Sequence, residues 1–182
     1  AKLAAYIEEL PEDIKEPYTT EVNLGVKAWI NDVAQVISKG FVMTIDYGYT
    51  RKEYFAPFRN MGTLLAYRGQ TVHEDLLARP GEQDLTAHVN FSDLARWGKE
   101  AGFSTIGYAP QWAFLGGLDF EDVVRGIIGS DFEPFSPKLA MIKSLILPQG
   151  MGSTHKVMVQ AKGLETIPTL KGFKIKNFAG RL

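Results

Sequence analysis

Two groups of residues have types and spacing suited to chemistry. The first is Arg68, Asp84 and His88. A carboxylate can hold and orient a cationic group, and an imidazole can accept a proton or fix that carboxylate. The same residues also have a local reading. Asp84 would be a turn carboxylate bonded to backbone N–H groups, His88 a half-buried packing residue, and Arg68 the ion-pair partner of Asp84. The second group is Asp46 and Tyr47, which follow the apolar run Phe41-Val-Met-Thr-Ile45. If that run is a strand, they close its carboxyl end, where ligands gather in open α/β sheets. The alternative is a carboxylate capping the next turn, with Tyr47 packed beside it.

Other chemistries find little support. His73, Glu74, Asp75, Asp84 and His88 match no metal-binding spacing, so no metal is expected. Gly150-Met-Gly152 leads into a strand and lacks the Gly-Lys-Ser/Thr of a phosphate loop. The absence of cysteine excludes disulfides and thiol catalysis. A net charge of -1 gives no electrostatic case for nucleic acid. Arg51, Lys52 and Arg59 beside Tyr54 and Phe58 read as a solvated face. No apolar run reaches the length of a membrane-spanning helix, so no membrane association is expected. Ala1 opens a helical pattern with no signal-peptide features, which suggests an excised fragment.

The elements that would position these residues follow an α/β pattern over one domain, 1–182, in keeping with a hydrophobic content of 45%. Leu3, Ile7 and Leu10 share a helical face that Pro11 ends. A second helix is expected to start near Thr20, with Val22, Val26, Trp29, Ile30, Val33 and Ile37 as its buried stripe. Phe41 to Ile45 reads as a strand buried on both faces. Residues 50–90 are irregular and rich in aromatics, with a short strand within Gly62–Arg68, and suggest a lid or substrate-side loop. Ser92 reads as the N-cap of a helix over Asp93–Ala101 that Gly102 ends. Phe103–Tyr108 is a further strand. Helices follow around Phe120–Ile128, with Asp119 as cap, and Pro137–Leu147, with Ser136 as cap. Gly150–Gly152 reads as a turn, and His155–Ala161 alternates as a last strand.

In that order, Thr20-Glu-Val-Asn23 with Trp29, Ile45-Asp-Tyr-Gly48, Gly62-Thr-Leu-Leu-Ala-Tyr-Arg68, Pro80-Gly81, Asp84-Leu-Thr-Ala-His-Val-Asn-Phe91 and Gln111-Trp-Ala-Phe-Leu115 resemble the MidA-like S-adenosylmethionine (SAM) methyltransferases. That family includes the mitochondrial complex I assembly factor with protein arginine methyltransferase activity. The resemblance spans roughly residues 20 to 120. It departs at Gln70, where relatives often carry His, and at Asn90, where they often carry Asp.

The resemblance implies the C-terminal portion of a Rossmann-like class I methyltransferase sheet. Phe41–Ile45 would be the fifth of seven strands, with Phe103–Tyr108 and His155–Ala161 the sixth and seventh. The seventh would lie antiparallel between the other two. The family's glycine-rich SAM turn belongs to an N-terminal half with no match here. SAM would serve the full-length protein, this chain alone would hold none, and its cofactor-binding residues are unknown. Asp84 and His88 would be catalytic, and Asp46, Tyr47 and Arg68 would bind the substrate. That substrate would be a protein side chain, arginine in particular, in respiratory complex I assembly or a related role. The setting would be the bacterial cytoplasm, or the mitochondrial matrix in a eukaryote. The rival reading is an interaction module that forms a homodimer or associates with the missing N-terminal half.

Overall fold

The computed structural model describes residues 2–11, 14, 16–69, 71–129 and 136–182. The chain opens with helix α1 (Lys2–Glu8) and helix α2 (Gly25–Val36), then strand β1 (Gly40–Tyr49). A single turn, α3 (Arg51–Tyr54), leads to short strands β2 (Leu65–Arg68), β3 (Thr71–His73), β4 (Asp84–Thr86) and β5 (Val89–Asn90). Helix α4 (Phe91–Glu100) and strand β6 (Ser104–Pro110) follow. Helices α5 (Gln111–Gly117), α6 (Phe120–Ile128), α7 (Pro137–Ile146) and α8 (Met151–Thr154) precede the last strand, β7 (His155–Lys162).

The main sheet has the order β5-β1-β7-β6. β7 is antiparallel to both β1 and β6, so those two run parallel. This matches the arrangement that the resemblance implies for the last strand. A second sheet, β3-β2-β4, is small and antiparallel. Residues 50–90 are therefore more regular than their composition suggests, because backbone pairing at Ala66–His73 and Ala66–Leu85 organises them.

Two apolar layers sandwich the main sheet. On one face Ile30, Phe91, Leu94, Trp97 and Met158 are buried together with Tyr6 and Phe103. On the other, Ala109, Ala113, Phe114, Val157, Val159 and Phe173 form a second cluster. Gly107 admits Phe173, since a Cβ there would overlap that ring. The alternation of β7 between the two clusters follows from the period-two geometry of a strand.

Several expectations need correction. β1 is buried on one face only: Phe41, Met43 and Ile45 are about half exposed. In α1, Leu3 and Ile7 are exposed and Tyr6 is the buried residue. α2 begins at Gly25 rather than near Thr20, because the Asn23 side chain accepts the Gly25 N–H and turns the chain there. Ile30 and Ala34 are its buried positions, and Trp29 is exposed. Asn90, not Ser92, caps α4 by accepting the Asp93 N–H; Ser92 Oγ accepts the Arg51 N–H instead. Asp119 makes no side-chain cap bond and pairs with Lys171. Ser136 does cap α7, and the expected turn at Gly150–Gly152 is instead the start of the short α8, with Gly150 at its N-cap position and Met151 and Gly152 inside it. Gln70 lies outside the described residues. No helix among those described is long and apolar enough to cross a membrane.

Candidate functional site

The carboxyl end of β1 carries Asp46-Tyr-Gly-Tyr49. Because side chains alternate along a strand, Tyr47 and Tyr49 project from one face. β5 lies parallel to this end, with Gly48 opposite Val89. Gly48 permits that approach. A Cβ there would overlap the Val89 carbonyl oxygen and lie 2.9 Å from both the Val89 nitrogen and the Phe91 ring. The preceding residue, His88, is thereby brought against the tyrosines. Its ring stacks on Tyr49, with centroids 4.9 Å apart, and meets Tyr47 edge-on at 5.0 Å. Tyr47 also meets His155 edge-on at 5.6 Å. The Arg59 guanidinium sits 3.7 Å from the Tyr49 ring centre, a cation–π contact.

A carboxylate supports this cluster from behind. Glu21 accepts the Thr63 N–H at 2.9 Å, the Thr63 hydroxyl and the Tyr54 hydroxyl at 2.7 Å. The Thr63 hydroxyl oxygen in turn accepts the backbone N–H of His88 at 2.9 Å. Burial alone would raise the Glu21 pKa, but the bonds from Thr63 and Tyr54 outweigh it and hold the carboxyl below its ordinary value. Burial lowers the pKa of His88, and the positive charge of Arg59 lowers it further. Glu21 and Asp46 oppose that shift without reversing it. His88 is thus neutral near pH 7, and its Nδ1 is buried without a hydrogen-bond partner. A neutral imidazole with a free nitrogen can accept a proton or receive a donor.

Two clefts meet at His88 and Glu21. One, of about 500 Å³, is lined by Tyr49, Arg59, Thr63, Leu65 and Glu74. The other, of about 350 Å³, runs past Val22, Tyr54, Asn90 and Trp97. Asp46 Oδ1 accepts the Tyr47 N–H at 2.8 Å, and Asp46 faces Lys156 across the β1–β7 ladder. Burial lowers the pKa of Lys156, partly offset by Glu53. A larger cleft of about 710 Å³ lies beside α4, around Arg51, Asp93 and Arg96. Its central carboxylate, Asp93, is buried and already engaged by Tyr6, Asn90, Arg51 and Arg96. That network reads as framework, because its charges satisfy one another.

Of the residues singled out in the sequence, the structure brings together His88 and Tyr47, with Asp46 close enough to act on the His88 charge. It does not join Asp84 to His88 or to Arg68. Asp84 is exposed on β4, opposite Tyr67, and Arg68 pairs with Glu82 at 3.4 Å. The expected Arg68–Asp84 pair is therefore replaced by Arg68–Glu82. An extended backbone explains the separation, since β4 carries Asp84 away from the two-residue link that holds His88. Glu21, Tyr49, Arg59 and Lys156 were not assigned to a site from the sequence. Among the described residues, no cluster of three or more His, Asp or Glu could hold a metal ion.

The chain is similar to proteins of one kind. Residues 1–109 match a family model described as "Putative S-adenosyl-L-methionine-dependent methyltransferase". An uncharacterized protein from Burkholderia thailandensis matches the whole chain at 31% identity with a TM-score of 0.89. Another from the same organism, solved bound to S-adenosyl-homocysteine, matches the whole chain at 32% identity and TM-score 0.89. The chain spans about half the length of each, 47% and 46%. No significant match was found among curated proteins. With more than half of its residues inside that family model and a fold shared throughout with a relative bound to S-adenosyl-homocysteine, this chain belongs to the family of S-adenosylmethionine-dependent methyltransferases.

Proposed function

We propose that this chain forms the acceptor side of a SAM-dependent methyltransferase that methylates a protein side chain, arginine in the first instance. The observation that carries the reading is the neutral, half-buried His88 held between two tyrosines at the carboxyl edge of the sheet. SAM, when bound, supplies an electrophilic sulfonium methyl. The described residues contain no glycine-rich strand-to-helix turn to hold it, so they fit the acceptor rather than the donor. We assign the donor contacts to the part of the fold that this chain does not span.

The side chains suit a planar, cationic acceptor. Tyr49 carries one guanidinium, that of Arg59, against its ring, the kind of contact by which an aromatic side chain holds a planar cation. Glu21 is committed to its own donors, the Thr63 N–H reaching both of its oxygens and the Thr63 and Tyr54 hydroxyls bonding Oε1, so it contributes negative charge beside His88 rather than a free acceptor. Asp46 and Glu21 offset the charges of Arg59 and Lys156 around His88. The acceptor nitrogen attacks the methyl carbon as the carbon–sulfur bond breaks, the bonding pair stays on sulfur, and the nitrogen loses a proton. His88 accepts that proton. Asp84 and Arg68, on the small sheet, would contact the body of the acceptor protein and set its approach. Complex I assembly or a related role is the proposed setting, in the bacterial cytoplasm or mitochondrial matrix.

The test uses a chimera in which this chain replaces the aligned part of the S-adenosyl-homocysteine-bound relative. Methyl transfer from labelled SAM into acceptor proteins should yield methylarginine on hydrolysis. His88→Gln and Asp46→Asn should each lower kcat about 100-fold, with SAM affinity unchanged within twofold. Full activity in both variants would refute the site assignment. Label in another residue type would refute arginine. Titration of SAM into the isolated chain should give no binding at about 100 μM, and tight binding would place a donor site within these residues.

A further inference from the structure

A cleft of about 520 Å³ lies between α3, the carboxyl end of β6 and the segment after β7. Lys52, Lys156 and Arg181 line it, and none of these cations has an ion-pair partner among the described residues. The lining carboxylate, Glu53, is taken up by the cap of α3, where it accepts the Thr50 N–H at 3.0 Å and the Thr50 hydroxyl at 2.9 Å. The cleft therefore carries positive charge that its own residues do not balance.

Its donors are held in place with capacity to spare. Lys156 Nζ donates to the Ser153 and Thr154 carbonyls, and an ammonium has a third proton to give. Burial lowers the pKa of that amine, and an anion beside it would restore the charge. The Arg181 guanidinium lies 4.1 Å from the centre of the Phe178 ring, a contact that holds the cation and leaves its N–H groups for an acceptor. Tyr108 is 2% exposed, and its hydroxyl is buried without a hydrogen-bond partner. Burial raises the pKa of this hydroxyl and the Glu53 charge raises it further, so it keeps its proton and can donate. An unpartnered buried hydroxyl costs free energy that a bound acceptor would recover.

We propose that this cleft binds a carboxylate, and that the carboxylate is an acidic side chain of the acceptor protein close in sequence to the methylated residue. The charge of Glu53 at the cleft disfavours a phosphate dianion more than a monoanion. The choice of source rests on the methyltransferase reading above, and position supports it. Lys156 stands opposite Asp46 in the β1–β7 register, beside Tyr47, and its charge acts on His88. α3 follows Tyr49 directly through Thr50. A peptide whose arginine lies against Tyr49 and His88 would carry its neighbouring side chains toward the cleft. Two points of contact would then fix the direction in which the acceptor chain runs.

Two measurements on this chain test the proposal without reading methyl transfer. In the first, lysines are acylated by limiting acetic anhydride, in acetate or in chloride at equal ionic strength, and each site is quantified by mass spectrometry. Acetate should protect Lys156 in a saturable way and leave Lys39 as reactive as in chloride. Arg181→Gln and Tyr108→Phe should each weaken the protection about tenfold, the loss of one hydrogen bond to a charged group. Tyr108→Phe removes a hydroxyl that has no partner, so this variant should melt no lower than the parent chain. Equal labelling of Lys156 in acetate and chloride, or full protection in both variants, would overturn the site. Stronger protection by inorganic phosphate than by acetate would overturn the carboxylate assignment.

In the second, fluorescence anisotropy follows dye-labelled peptides that carry one arginine and one glutamate, with the glutamate walked along both sides of the arginine. One spacing should bind about tenfold tighter than its glutamine counterpart, and Arg181→Gln should erase the difference. Equal binding at every spacing, or no peptide binding beside intact acetate protection, would overturn the acceptor protein as the source. Replacing the peptide arginine by glutamine separates the two readings. A glutamate preference that survives this change removes the arginine reading and leaves the carboxylate site standing. Binding that needs the arginine but ignores the glutamate overturns this proposal and leaves the arginine reading.

Discussion

Gly48→Ala should dismantle the candidate site while leaving the sheet in place. The substitution puts a Cβ against the Val89 backbone, which overlaps at the carbonyl oxygen and approaches to 2.9 Å at the nitrogen. Backbone atoms cannot rotate away as a side-chain end can, so β5 must retreat. Only two residue pairs hold β5 to β1, so little resists that retreat. Overpacking of this kind costs about 1–3 kcal/mol. Reduced freedom of the unfolded chain returns about 0.4–1 kcal/mol. The expected net loss is about 1–2 kcal/mol in urea unfolding followed by far-UV circular dichroism. The more diagnostic readout is the His88 C2 proton in NMR titration. As His88 moves off Tyr47 and Tyr49 it gains water, and its pKa should climb toward the ordinary histidine value of about 6.5. Gly126→Ala is the control: a Cβ there meets nothing within 4 Å on a helix, and stability should stay level or rise slightly. A Gly48→Ala protein with wild-type stability and an unshifted His88 would refute the argument that Gly48 positions β5 and His88.

Two further perturbations address charge. Because the folded His88 pKa is depressed, the unfolded chain binds more protons below about pH 6.5. His88 should therefore contribute stability that is complete above that pH and is lost as pH falls toward its folded value. Arg59→Gln removes a charge that lowers this pKa, so the His88 midpoint should move up and the acid-side loss should shrink. A midpoint that stays put would refute the assigned role of Arg59. Glu21→Gln replaces an acceptor of three bonds with a group that offers one carbonyl oxygen, leaving donors from Thr63 and Tyr54 poorly matched. Thermal unfolding should show a loss of about 1–3 kcal/mol, and unchanged stability would show that these bonds matter little.

Much of the α/β framework was legible because it rests on local signals. Gly102 follows a charged, amphipathic segment, and Ser136-Pro137 announces α7, with the serine three residues ahead of Leu139, whose N–H it accepts. The placement of β7 between β1 and β6 came from the family likeness, since alternation along His155–Ala161 says nothing about its neighbours. The burial of β1 was misread for an instructive reason. Its apolar run implies two covered faces, while Phe41, Met43 and Ile45 stand about half exposed, and composition alone does not say what packs against a strand. The site was the least legible part. Asp84 and His88 are grouped by the chemistry of their side chains and by the family likeness, yet β4 and the two-residue link before β5 send them apart. Glu21 acts on Thr63 across 42 positions, a relation that neither periodicity nor spacing can carry.

The position of β7 also constrains the order in which this chain can fold. β1 and β6 are not neighbours in the sheet; they are joined through β7, the last of the described strands. Gly40 must therefore wait for Lys162 before its ladder can close. On a ribosome adding about 5–20 residues per second, the early strands would spend several seconds without their central partner. Contacts of such long range slow folding, since loop closure precedes any gain from pairing. A chain stopped before His155 would keep α2, β1, α4 and β6 yet have no main sheet joining them. Beyond β7, Phe173 seats in the niche over Gly107 and Asn177 accepts the Tyr108 N–H. The segment after the last strand thus fastens a sheet that could not have assembled earlier.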